Sequence, residues 1–359
     1  MKKVFKIIGG ILIVLLAVAI ITLVVFKVRN EMYLGSADKD FVEYLDKNRW
    51  ELDKHRYFDE AGFDFFGDDF YKGKVFFLGE THGYAELQTV DKALLFHLNR
   101  KLGTRHYIVE MDSVRGRRLN DFLGREQKDM SIISDEIIPY LKKRIMQQAG
   151  EEFVQKWSDI YDYNRTLPDS LRIEVLGVDK LPGDTVKMSR DSAMMANFDR
   201  IVKDRGLQDE SFYAFFGLYH ALGEGVAQSN SDPFAARLKK SGLDIKSIIC
   251  FNVDSEVYMP KEAGYPTPED EKITLLGMDG PLALVYGIND LKEATGKNTA
   301  TIFKLDGKES PYRHSQKLIN AKTNFLNQNL SVKESSMVTT DYMQYAILLR
   351  NAHAITPIK

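Results

Sequence analysis

Val75-Phe76-Phe77-Leu78-Gly79-Glu80-Thr81-His82-Gly83 is followed by a run with helical periodicity from Tyr84 to Arg100. Four consecutive apolar residues, too few for a helix and rich in β-formers, predict a buried strand. Gly79 and Gly83 bracket a sharp turn. A carboxylate and an imidazole, Glu80 and His82, are therefore held two residues apart where a strand hands over to a helix. In open α/β sheets ligands bind in the crevice at the carboxyl ends of the strands, so chemistry belongs at such a turn. A capping Glu and a surface His would give the same local sequence, and the other strand ends must decide.

Behind that turn Leu87, Val90, Leu94 and Leu98 form one core-facing helical stripe, which Gly103 ends. Tyr107-Ile108-Val109 is the next apolar run and Glu110 follows it directly. Ile173 to Val178 is a third strand with Asp179 at its end, and Phe212 to Phe216 a fourth, followed by Gly217, Tyr219 and His220. Ile245 to Val253 makes a fifth. Asp184 to Arg205 is expected to be helical, Tyr258 to Asp270 a proline-rich loop, Leu282 to Ile288 and Thr299 to Leu305 strands at one sheet edge, and Tyr342 to Arg350 a closing helix. Strands alternating with helices predict an α/β fold with a largely parallel central sheet flanked by helices, over residues 71–359. Residues 115–165 read as a helical insertion covering the sheet end. Its Trp157, Tyr161 and Tyr163 could line a pocket, although aromatic residues at helical spacing serve equally as core.

Ile7 to Phe26 is an uncharged, almost wholly apolar run, close to the length a helix needs to cross a bilayer. It predicts an N-terminal transmembrane helix within residues 1–30. Lys2, Lys3 and Lys6 before it slightly outnumber Lys27 and Arg29 after it, which favours a cytoplasmic N-terminus and a single-pass protein whose body lies outside the cytoplasm. A cleaved signal peptide is the competing reading, but Gly35-Ser36-Ala37 lies far from the run. Residues 31–70 read as a connecting segment with a short helix, Asp38 to Leu52. The chain of 359 residues carries a net charge of -2 and no basic cluster, so no nucleic-acid partner is expected. Cys250 is the single cysteine; it excludes an internal disulfide and, within Ile248-Ile249-Cys250-Phe251, reads as a buried apolar residue.

Four strand ends thus supply Glu80 with His82, Glu110, Asp179 and His220, and a single parallel sheet would turn them all towards one crevice. Two imidazoles and several carboxylates can perform acid-base chemistry. Glu80, His82, Glu110 and His220 could equally hold a divalent metal through nitrogen and oxygen ligands. G-x-S-x-G, H-E-x-x-H, G-x-x-x-x-G-K-[ST] and a G-x-G-x-x-G after a strand are all missing, which removes the main support for serine hydrolase, zincin, P-loop and dinucleotide-binding readings. His55, His97, His106, His314 and His353 lack any acidic or glycine context and read as surface or core residues.

Leu78-Gly79-Glu80-Thr81-His82-Gly83, Val109-Glu110, Tyr163-Asn164 with Leu176-Gly177-Val178-Asp179, and Phe216-Gly217-x-x-His220 together resemble the erythromycin esterase and ChaN-like group, which is related to the Tiki proteases. The resemblance covers residues 70 to 225, with a weaker echo in Arg190 to Phe198. It implies an α/β fold with an open cleft in which His82 is the base that activates water, Glu110 its orienting partner, and Glu80 and His220 groups that bind and polarise the substrate or a metal. Asp179 would support the substrate site and Arg115 would stabilise an oxyanion. The turn is one residue shorter than the Gly-Glu-x-Thr-His of macrolide esterases and matches the shorter form of ChaN-like and Tiki-like relatives. The group offers three activities: a hydrolase whose activated water attacks an ester or amide carbonyl, a haem- or metal-binding protein, and a metal-dependent peptidase. The expected partners are a small-molecule or peptide substrate and, through residues 7–26, the membrane.

Overall fold

A computed structural model describes residues 2–52, 64–185, 187–264, 266–324 and 329–358; His55, Tyr57, Phe58 and Phe63 lie outside them. In chain order the strands are β1 (Arg49–Leu52), β2 (Val75–Glu80), β3 (His106–Asp112), β4 (Glu174–Asp179), β5 (Phe212–Gly217), β6 (Ile245–Val253), β7 (Val257–Tyr258), β8 (Lys272–Ile273), β9 (Ala283–Val285), β10 (Ala300–Lys304), β11 (Ala321–Thr323) and β12 (Tyr345–Arg350). Among the described residues an eight-stranded sheet runs in the order β1-β10-β12-β6-β2-β5-β3-β4. From β12 to β4 every pairing is parallel, and β10 and β1 close the far edge in antiparallel register.

The stretch Val75 to Glu80 lies in the middle of this sheet and is buried throughout. Phe76 and Leu78 enter the core on one face, Val75 and Phe77 the core on the other. A strand covered on both sides has no place for polar alternation, which is why its sequence reads as a continuous apolar run. Helices Ala85–Leu102 and Glu151–Thr166 cover the first face through Leu87, Val90, Leu94, Leu98, Trp157 and Ile160. Helices Arg190–Arg205, Phe234–Lys240 and Ile288–Glu293 cover the second through Met194, Phe198, Phe234, Leu238 and Leu291. After β2 the chain builds β3, β4 and β5 on one side and then crosses to β6 on the other. That reversal opens a crevice at the carboxyl end of β2.

Several local expectations are corrected. Tyr342 to Arg350 is not a closing helix: a short helix, Thr339–Tyr342, gives way to β12, whose Tyr345, Ile347 and Leu349 are buried in the sheet. Asp38 to Leu52 divides into the helix Lys39–Lys47 and the edge strand β1. Ala283 to Val285 pairs with β11 outside the main sheet, while β10 lies one place in from its edge. The helix expected from Asp184 begins at Arg190. The insertion is broken into Ser113–Gly124, a π-helical turn at Ile132–Ile137, Ile138–Arg144, a 3-10 turn at Met146–Gln148 and Glu151–Thr166. Trp157 and Tyr161 are core, and Tyr163 stacks on Phe96 with ring centroids 4.0 Å apart.

The N-terminal helix runs Lys2–Leu34, and Phe5–Leu34 is long and apolar enough to cross a membrane, its apolar stretch standing free of the body. Its last turn is fastened down. Asn30 Nδ2 donates to the Pro281 carbonyl at 3.1 Å, Asn324 Nδ2 donates to Asn30 Oδ1 at 3.1 Å, and the Gly287 N–H donates to the Leu34 carbonyl at 2.9 Å.

Candidate active site

Glu80 ends β2, opposite Gly217 at the end of β5. Thr81 to Gly83 then turn into the helix Ala85–Leu102, with φ of +103° at Gly83, a conformation that only glycine adopts freely. His82 bends back so that its Nδ1 lies 2.8 Å from Glu80 Oε1. The same carboxylate oxygen accepts a hydrogen bond from Gln148 Nε2, which also stands 3.3 Å from His82 Nδ1. The helical insertion thereby reaches over the sheet end and pins the pair.

Glu110 sits in β3 where the register with β4 shifts between Val109 and Asp112, a bulge that re-aims its side chain. Its Oε2 accepts the Gly217 N–H at 2.6 Å, and its Oε1 faces Arg190 Nη2 at 2.8 Å. Arg190, in the first turn of the helix Arg190–Arg205, makes a fork with Asp179 at the end of β4: Nε at 3.0 and 3.1 Å, Nη2 at 2.6 Å. Arg190 Nη1 lies 3.2 Å from His220 Nε2, and His220 Nδ1 lies 2.6 Å from Asp191 Oδ1. Each imidazole therefore has a carboxylate on Nδ1. In the neutral ring Nδ1 carries the proton and donates it to that carboxylate in a hydrogen bond, leaving Nε2 as the acceptor.

Glu80 is almost wholly buried, whereas 24% of the His82 side chain is open to the cavity. Burial disfavours the charged form of His82, but Glu80, through charge and hydrogen bond, and Glu110 outweigh it and raise its pKa above the ordinary imidazole value. Burial likewise works against the Glu110 carboxylate, yet His82, His220, Arg190 and the Gly217 N–H hold its pKa below the usual carboxylate range. A Cβ added at Gly217 would stand 3.2 Å from His82 Nε2 and 3.5 Å from Glu110 Oε2, so the bare glycine keeps a small space open in front of that nitrogen.

These groups form the polar end of a cavity of about 900 Å³. Glu80, His82, Glu110 and His220 all line it, as does Arg190; the rest of its wall is predominantly apolar, from Leu218, Ile249 and Phe251 to Met278, Leu284 and Leu330. Asp179 stands behind Arg190, fully buried, and also accepts from Arg144 Nη2 at 3.2 Å. Arg115 is not among the lining residues: it bonds Asp112 at 3.3 Å and lies over the Tyr140 ring. The arginine of the cavity is Arg190, and Asp191 and Gln148 are further site residues that the strand-end logic does not reach. The signal for the first two lies in the Arg190 to Phe198 stretch; a neutral amide in a broken helical insertion carries none.

Of the other histidines, His97 is buried 2.8 Å from the Tyr71 hydroxyl, His106 is a buried core ring whose pKa burial pushes down to about 4, and His353 pairs with Glu86 at 2.6 Å. Neither these nor His314 line the cavity. Among the described residues no group of three or more His, Cys, Asp or Glu side chains is disposed to hold a metal ion. The guanidinium of Arg190 bonds both Glu110 and His220, occupying the position a cation shared between them would need. Glu80, His82, Glu110 and His220 therefore do not fit a divalent metal as they stand.

No protein-family model and no curated protein matches the chain. Solved structures do. A protein from Bacillus cereus matches with a TM-score of 0.63 at 9% identity, over 89% of this chain and 98% of that one. A succinoglycan biosynthesis protein matches with a TM-score of 0.58 at 12% identity over the same shares. An erythromycin esterase variant in its open conformation matches with a TM-score of 0.53 at 12% identity, over 78% of this chain and 91% of that one. The strand-end residues of one parallel sheet, gathered at one crevice, thus sit on a scaffold shared with these proteins: the chain has the erythromycin esterase-like fold.

Proposed function

We propose that this chain is a membrane-anchored hydrolase, its body outside the cytoplasm, in which His82 activates water for attack on an ester or amide carbonyl. The observation that carries the reading is the Glu80-backed His82, with Nε2 turned to open space beside Gly217 at the head of a large cavity. In the mechanism His82 Nε2 takes a proton from water as the oxygen bonds to the carbonyl carbon. The carbonyl π pair becomes an oxyanion, and the Arg190 guanidinium, kept charged by Asp179 and Glu110, faces it. Collapse of that intermediate breaks the bond to the alcohol or amine, which takes the proton back from His82. Glu80 keeps the imidazole in the required tautomer throughout. The anchor and its orientation rest on the apolar helix and on the Lys residues that precede it.

The full chain in nanodiscs should release product from one or more of a panel of p-nitrophenyl esters and anilides, and His82→Ala should lose at least about a hundredfold in rate, the contribution of a general base. Equal rates for the two proteins would end the proposal.

Haem capture is the second reading, favoured by an apolar cavity with two imidazoles at one end. Haemin titration tests it: a Soret shift lost in His220→Ala supports haem binding, and an unchanged spectrum excludes it.

A further inference from the structure

The cavity joins the Glu80–His82 groups to a predominantly apolar wall, and part of that wall adjoins the N-terminal helix. Its wall there is built from Leu275 and Met278, from β9 with Leu282, and from Asn324 just after β11. Leu275 is half exposed, so the apolar lining reaches the protein surface. The Pro281 carbonyl, next to Leu282, and the Asn324 amide are the groups that hold Asn30 of the N-terminal helix. Asn30 follows Phe26, the last residue of the uncharged run, by one helical turn, a rise of about 6 Å. A wall so attached stands at the level where the helix leaves the hydrocarbon and enters the headgroup layer. Apolar surface in an open cavity is unfavourable in water, and a ligand able to cover it must itself be apolar along most of its length.

We propose that the substrate is a membrane amphiphile whose long acyl or alkyl chain is drawn from the bilayer surface into this apolar arm, placing its ester or amide carbonyl at the Glu80–His82 end. The inference rests on the hydrolase and anchor readings above, and adds to them the chemical class of the substrate and its route of entry. The wall beside the anchor, Leu275, Leu282 and Leu284, offers apolar surface for the chain, with Lys322, Thr323 and Asn324 beside it, and Arg190 and His82 stand at the reacting end. A soluble peptide or a small polar ester would leave the apolar arm unfilled.

Two measurements on the full chain in phosphatidylcholine nanodiscs test this separately from the hydrolase reading. In the first, a palmitic acid carrying a mid-chain diazirine is photolysed with wild type and with His82→Ala, and adducts are mapped by mass spectrometry. Labelling of residues 275–285 and 318–324 in both proteins, reduced at least fivefold in Ala283→Trp, is expected; labelling confined to residues 5–26 overturns the proposal. In the second, kcat/KM is compared for p-nitrophenyl butyrate and laurate, with a gain of at least tenfold for laurate that Ala283→Trp abolishes. Cleavage of both esters at equal kcat/KM, without adducts on the cavity wall, leaves a hydrolase but removes the acyl site. Adducts on the wall with no cleavage of either ester retain the acyl site and remove the hydrolase.

Discussion

Glu80 Oε1 and His82 Nδ1 are 2.8 Å apart although Glu80 still belongs to β2 and His82 has already left it. The turn after the strand folds the ring back onto the carboxylate, Gln148 closes over the pair from the insertion, and the free Nε2 faces Glu110 and Gly217. Chain geometry thus orients the imidazole that we propose as the base before any substrate arrives, as preorganised catalysis requires.

Gly217→Ala places a methyl group 3.2 Å from His82 Nε2 and 3.5 Å from Glu110 Oε2, in the space proposed for the attacking water. Its kcat should fall by about ten- to a hundredfold, the scale of a misplacement near 1 Å at the reacting centre. The melting temperature should change by only a few degrees. Unchanged kcat in a folded Gly217→Ala protein would move the water elsewhere.

Arg190 is the shared partner of Asp179, Glu110 and His220. Arg190→Ala removes the shared cation from two buried carboxylates, leaving Asp179 to Arg144 and Glu110 to the Gly217 N–H and the imidazoles. It should cost about 3 kcal/mol, the low end for breaking a buried pair, because 30% of the arginine side chain meets solvent. Arg190→Lys should recover part of that stability, since the charge returns, but little activity, since a lysine cannot form the fork on Asp179. Thermal unfolding alongside ester hydrolysis separates the two effects.

The pKa of Glu110 is lowered on folding, so its contribution to stability is present above the ordinary carboxylate pKa of 4.5 and is lost as pH falls through the lower folded value. His82 has the opposite sign: its raised pKa contributes stability that is fully present below pH 6.5 and fades as pH rises through the folded value. Melting temperature measured from pH 3 to 9 should therefore decline at both ends, and Glu110→Gln should flatten the acid decline. An acid limb equally steep in Glu110→Gln would assign it to other carboxylates.

The sequence made the parallel core legible because β2 to β6 are buried along most of their length and each carries a short apolar run. The polar residues ending those runs are legible for the same reason: in parallel strands the carboxyl ends all point one way. Tyr345 to Arg350 misleads because its Ala and Leu residues favour a helix locally, whereas pairing with β6 and β10 decides the outcome. β1 is hidden by its short length beside a helix with clear amphipathic spacing. Arg115 looks suitable because it follows Glu110 closely, but the N-terminal turn of its helix, capped by Asp112, directs it to Tyr140. Gln148 and Asp191 reach the site through tertiary packing, which no spacing along one strand can reveal.

The pH profile of kcat/KM for the full chain and for Glu80→Gln, on the p-nitrophenyl ester cleaved fastest, tests the central claim most directly. Hydrolysis needs neutral His82, so wild type should show an acid limb with an apparent pKa above 6.5, the side to which Glu80 and Glu110 move the ring. Removing the Glu80 charge should shift that limb to lower pH and reduce the plateau rate by at least tenfold. Superimposable profiles with equal plateaus would contradict the account, because the residue in contact with His82 Nδ1 would then have no part in setting the base.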